Sequence, residues 1–263
     1  VISLFLLPMV ASALAAGSLT LIGRHLILRR VGFYLLPLHQ LCVFVAIILA
    51  TLSLEGSALR FTSAFSASLL FALSLRSSWV RSEHGLLVIY LVLMAVNFLM
   101  MRLNPGLEFS FSQTLFGDIA LLGQELSIVM ILGSIASLAL LAISHRRLFK
   151  DSFQSALHGN APRDQTLPAA EWGLGLFVSF CLLEMGFLFS GASLILAPII
   201  ISSTFLTWKW MSVVSFLCAA SGTLAGFWLS TQSEQVAASP AAVVSISLFS
   251  AAVALLRKIL FRC

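Results

Sequence analysis

Apolar stretches long enough to form helices recur along the chain, and short polar clusters separate them. A helix needs about 20 apolar residues to cross the hydrocarbon core of a bilayer. Runs of that kind lie near residues 4–23, 33–54, 61–79, 85–101, 125–144, 171–189, 191–207, 211–231 and 239–256. The sixth and seventh nearly touch at Ser190-Gly191. They read either as two crossings or as one broken helix plus a re-entrant piece, so the pattern predicts eight or nine transmembrane helices. The fold class that follows is all-α, a polytopic α-helical membrane protein with a single transmembrane domain over residues 1–263.

Two polar stretches interrupt the pattern. His145 to Ala170 carries His145-Arg146-Arg147, Lys150-Asp151, Gly159 and Pro168. It predicts a loop over residues 145–170 that is too short for a domain but long enough for a surface helix. Arg102 to Gln124 contains Asn104-Pro105-Gly106, a turn signal.

Composition fits the pattern. Hydrophobic residues make up 60% of the 263 and charged residues 10%, where a soluble domain is about a quarter charged. So few charges cannot supply a polar skin, and the natural solvent for such a surface is lipid. The net charge of +5 would suggest nucleic acid in a soluble protein. Here the basic residues sit in clusters between apolar runs, so they set orientation in the bilayer and no nucleic-acid partner is expected. Placing Arg24, Arg29 and Arg30 in the cytoplasm, with nine crossings, puts 13 of the 15 Lys and Arg on that side. Arg60 and Arg102 remain outside, and the C-terminus is cytoplasmic. The opening run reads as a first span and not as a cleaved signal.

Small residues within the runs, such as the Gly222/Gly226 pair and Ala11, Ala15 and Ser18, read as close helix packing. The four cysteines, Cys42, Cys181, Cys218 and Cys263, have no metal-binding or redox spacing. Gly-Lys never occurs, so there is no P-loop, and HExxH and GxSxG are absent. The chain is therefore not expected to be an enzyme, and a partner chain or an ion gradient must supply any energy it uses. Polar groups at bilayer depth are costly and become functional candidates. They are His39 and Gln40 in the second run, Asn97 in the fourth and Glu184 in the sixth, with Glu125 at the head of the fifth. Imidazole is a good ligand for zinc, manganese or iron. For His39 the alternative is a bond to a neighbouring helix, and for Glu184 it is a pairing with a buried donor or a side chain that snorkels to water.

Five short motifs follow one another along the chain: Gly23 with Arg29-Arg30, Leu115-Phe116-Gly117-Asp118-Ile119, Asp151 to Gly159, Phe187 to Pro198, and Gly226 to Ser230 with Ser239-Pro240. Their order resembles that of the permease subunits of bacterial ABC importers for zinc, manganese and iron, over nearly the whole length. The first is similar to the family's approach to its second span, the second to Leu-Phe-Gly-(Asp/Ser)-Ile, and the third to Asp-Pro-Glu-x-Ala-x-x-x-Gly. The chain departs from the family where metal is handled. Leu35 and Leu36 stand for Gly-Asp, Gln40 stands for His, and His39 is one residue early, about 100° round a helix.

The resemblance implies an ABC importer permease-like fold and a dimer of permease subunits, identical or different. An ATPase subunit would dock in the cytoplasm and a metal-binding solute protein outside. It implies no permanently bound cofactor; the divalent metal ion is the transported substrate. Asp151, Ser152 and Gly159 would couple to the ATPase, and Gly117 and Asp118 would lie in the outer docking region. His39, Gln40 and Glu184 are the candidate transport pathway. The location implied is the bacterial cytoplasmic (inner) membrane. An ion-coupled carrier, or a non-conducting subunit of a heterodimer, stays open as an alternative.

Overall fold

The structure, a computed structural model, describes residues 2–29, 32–51, 56–74, 82–103, 117, 119–158, 169–202, 207–232 and 236–260. Among them are nine α-helices: α1 (Ile2–Leu28), α2 (Leu35–Thr51), α3 (Gly56–Ser74), α4 (Glu83–Leu103), α5 (Gln124–His158), α6 (Ala169–Glu184), α7 (Phe187–Ser202), α8 (Trp208–Gln232) and α9 (Ala238–Leu260). Short 3₁₀ turns at Gly32–Tyr34 and Ile119–Leu121 precede α2 and α5. No strand occurs among the described residues. Four helices are long and apolar enough to cross a membrane: Phe5–Leu28, Gln124–Gln154, Trp208–Gln232 and Ala238–Ile259. Leu35–Thr51, Leu59–Leu73, His84–Met100 and Phe187–Ser202 are shorter apolar helices.

Each apolar run has its helix, but two boundaries differ from expectation. The sixth and seventh runs are two helices, and the break falls at Met185-Gly186 rather than at Ser190-Gly191. Gly186 has φ 80, a left-handed conformation that suits a residue without Cβ. Ser190 is already in α7, and its hydroxyl donates to the Cys181 carbonyl at 2.9 Å. In one continuous helix those residues would stand about 13 Å apart, so the chain turns back sharply at Gly186. The second difference concerns 145–158. These residues do not form a separate surface helix but prolong α5, which runs unbroken for 35 residues. That is about 52 Å, well beyond a hydrocarbon core of about 30 Å. The polar pattern that begins at His145 therefore does not end the helix.

The surface is apolar and the interior is rich in small polar residues. Leu132, Ile143, Leu91 and Leu248 lie exposed, while Ser12, Ser18, Ser134 and Thr223 are fully buried. Where lipid tails surround the bundle, apolar burial offers no gain between helices, and close contact of small residues replaces it. These four hydroxyls cost little because each bonds its own helix one turn back, as Ser18 does with Leu14 O (2.8 Å) and Thr223 with Ala219 O (2.8 Å).

Helix α1 is the hub, packed on α5, α7 and α8, while α8 and α9 form the closest pair. A Cβ on Gly226 would run into the Ala242 backbone, and one on Gly222 would lie 2.6 Å from Ile246 Cα. The expected packing role of this glycine pair is therefore met. The Leu194 carbonyl likewise occupies the space a Cβ on Gly23 would need. Helices α2, α3, α4 and α6 form the other side of the bundle. Ser68 bonds Ser179 at 2.8 Å, and Phe61 stacks on Phe180 with centroids 4.9 Å apart, joining α3 to α6.

Candidate functional site

Two regions gather the polar side chains. The first surrounds the α6–α7 turn. Glu184, the last residue of α6, is 8% exposed. Its Oε2 accepts from Arg60 Nη1 of α3 at 2.6 Å. Its Oε1 is buried without a hydrogen-bond partner among the described residues. Just past the turn, the Phe187 ring packs against the His39 ring with centroids 4.8 Å apart, and His39 is 1% exposed.

Gln40 is committed elsewhere. The Asn97 amide Nδ2 donates to the Gln40 side-chain Oε1 at 2.8 Å and to its backbone carbonyl at 3.0 Å. These bonds tie α2 to α4 inside the bundle, where an unpaired amide would cost about 1–3 kcal/mol. The structure thus sets the His39 ring against Phe187, three residues past Glu184, with Gln40 turned toward Asn97. Among the described residues no three His, Cys, Asp or Glu side chains gather as a metal-binding group.

Gly117 also belongs to this region. It is buried with φ 47, and a Cβ there would collide with the Met185 carbonyl. Two left-handed glycines, Gly117 and Gly186, thus meet back to back. The Ile119 amide then donates to Ser239 Oγ at 3.1 Å, seating this segment on the start of α9. Asp118 lies outside the described residues.

The second region ties the basic end of the bundle together. Arg29, just past α1, donates through Nε to Ser152 Oγ of α5 at 3.0 Å. It also donates through Nη1 and Nη2 to Glu171 Oε1 of α6, at 3.1 and 3.0 Å. His25 Nδ1 lies 3.1 Å from the same Ser152 hydroxyl. Arg24 stands over the Trp208 ring at 3.7 Å, and donates to the Trp208 carbonyl at 3.1 Å and to Ser212 Oγ. Trp208 meets the edges of His25 and Phe149, with centroids 5.4 and 5.2 Å away. The last turns of α1, with Arg29 just past them, therefore bond α5, α6 and α8 at once.

Of the proposed coupling residues, Ser152 is fully buried in this network. Asp151 is half-buried, with Arg147 3.9 Å away one turn back. Gly159 lies outside the described residues. On the outward side of the same helix, Phe149 and Phe153 stack 6.1 Å apart and are exposed. The sequence reading missed Arg60 as the partner of Glu184, and Glu171 and Trp208 altogether. Glu171 beside an apolar run was the one available signal, because a carboxylate there needs a cation.

Among solved structures, the whole bundle matches a chain of PsaBC from Streptococcus pneumoniae, solved in complex with a Fab. The TM-score is 0.75, over 97% of this chain and 90% of that one. The two share one fold. Their sequences are 18% identical, so the kinship with PsaBC is one of architecture. No family model matches the sequence, and no curated protein matches it at a significant level. The all-helical, permease-like fold expected from motif order is thus met by the PsaBC architecture over nearly the full length.

Proposed function

We propose that this chain is the transmembrane permease subunit of an ATP-driven importer of a divalent transition metal: zinc, manganese or iron. It works in the bacterial cytoplasmic membrane by alternating access. A separate ATPase subunit drives it, a second permease subunit completes the path, and an extracytoplasmic metal-binding protein delivers the ion. The observation that carries the reading is the PsaBC fold over 97% of the chain, joined to motifs in the order of the metal-importer permeases. The α5 extension supports it. An unbroken helix projecting about 20 Å past the bilayer offers an ATPase something rigid to hold, and Asp151 and Ser152 fall in its last turns.

Two residues line the proposed path, His39 and Glu184. The carboxylate and imidazole lessen the dehydration cost of an ion in a low-dielectric interior. Gln40 contributes by bracing α2 through Asn97. The test is metal accumulation in a strain lacking this chain, followed by ATP-driven uptake in vesicles holding the complete complex. Uptake that proceeds without ATP or without any ATPase subunit would sink the reading. A second reading, a non-conducting subunit of a heterodimer, has one observation in its favour: the Gln40 side chain is engaged by Asn97. It predicts that His39 and Glu184 substitutions leave uptake unchanged.

A further inference from the structure

Glu184 closes α6. The last turn of a helix leaves carbonyl oxygens without intrahelical partners and carries the negative end of the helix dipole. That end attracts cations before any side chain is counted, and the Glu184 carboxylate adds a full charge. The carboxylate side chain is 4% exposed, whereas that of Arg60 is 44% exposed. The anion is thus fixed inside the protein, and the cation reaches it from the open side. One carboxylate oxygen, Oε1, is buried with no hydrogen-bond partner among the described residues. A buried charge repays its desolvation only where its partner sits close in good geometry, shielded from water, and its remaining lone pairs are met. Here the partner is close but not shielded, and one oxygen is unmet.

We propose that the carboxyl end of α6 is a cation seat, filled here by the Arg60 guanidinium, and that a divalent cation exchanges with it. The donors are oxygens, from the Glu184 carboxylate and the α6 carbonyls beyond Cys181, whose own carbonyl already accepts from Met185 N and Ser190 Oγ. Such a set suits a hard ion such as manganese(II) better than zinc(II), which favours nitrogen and sulfur. A divalent ion brings two charges to a place that guanidinium fills with one. No group of three His, Cys, Asp or Glu surrounds the seat among the described residues, so it holds an ion weakly and releases it. Use of the seat in transport rests on the permease reading; binding at the seat does not.

The experiment is a manganese(II) titration of the purified full chain in detergent, followed by the electron paramagnetic resonance signal of the free ion. Arg60→Gln should tighten saturable binding about fivefold, the modest factor that removing a half-exposed competing charge represents. Glu184→Gln should abolish that binding, and the double variant should match Glu184→Gln. If Arg60→Gln does not fold, Glu184→Gln decides alone, since it only neutralises a buried charge. Binding that survives Glu184→Gln, or is not tightened in folded Arg60→Gln, overturns the proposal. That outcome with ATP-driven uptake intact removes the seat and leaves the permease reading. Glu184-dependent binding without ATP-driven uptake does the reverse.

Discussion

Replacing Arg29 by Gln removes three hydrogen bonds at once, one to Ser152 Oγ and two to Glu171 Oε1. The two charged side chains are 17% and 16% exposed, so they lie between two known regimes. Exposed pairs contribute about 0.2–1 kcal/mol, and breaking a fully buried pair costs about 3–5 kcal/mol. A double-mutant cycle of Arg29→Gln and Glu171→Gln should therefore return a coupling energy of about 1–2 kcal/mol. In a chain of this size 1 kcal/mol moves the melting temperature by roughly 2–4 °C. Each single variant should melt some degrees below the parent, and the double variant no lower than the worse single. Tryptophan fluorescence during thermal melting in detergent reads this directly, because Trp208 packs against His25 in the same network. A coupling energy below about 0.3 kcal/mol, the ordinary scatter of independent sites, would refute the idea that this end is held by one interlocked contact.

The remaining predictions concern packing, the interior polar bond and transport. Gly226→Val should cost at least about 1–3 kcal/mol by pushing α8 off α9. Gly175→Ala, where a Cβ meets nothing within 4 Å, should be neutral or gain up to about 1 kcal/mol; equal melting of the two variants would undercut the close approach. Asn97→Leu leaves the Gln40 side-chain carbonyl without its donor and should cost about 1–3 kcal/mol, read as a lower melting temperature. Asp151→Lys should uncouple ATP hydrolysis from uptake in vesicles while leaving the melt unchanged; retained coupling counts against a role for the α5 extension. His39→Ala should lower metal uptake, and parental uptake returns His39 to a packing role beside Phe187.

The helices were legible because lipid imposes one rule, a long apolar run for every buried helix. Their ends were not always legible. Ser190-Gly191 resembles a break by composition, yet both residues are helical, since Gly186 takes the turn through a backbone angle that an apolar count does not register. The length of α5 was hidden for a related reason. Residues 145–158 are richer in polar side chains, but Leu148 and Ser152, one turn apart, are buried, so the helix keeps one inward stripe past His145. Of the site, Glu184 could be marked as a costly burial and Gln40 as an interior amide. Their partners could not, because Arg60 lies 124 positions from Glu184 and Asn97 lies 57 from Gln40. Pairings that distant are decided by how α2, α3, α4 and α6 pack.

Helix α5 has one more consequence. Its 35 residues include no proline, whereas α1 and α7 contain Pro8 and Pro198. A helix about 52 Å long without a break behaves as a stiff lever, and a tilt of about 5° pivoted at one tip sweeps the other through roughly 4–5 Å. A push at Phe153 therefore reaches Gln124, just past the Ile119–Leu121 turn and near Gly117, which packs on Met185-Gly186, with no loop within the helix to absorb it. Placing a Gly-Pro hinge in mid-α5 would leave both ends intact and sever their mechanical connection.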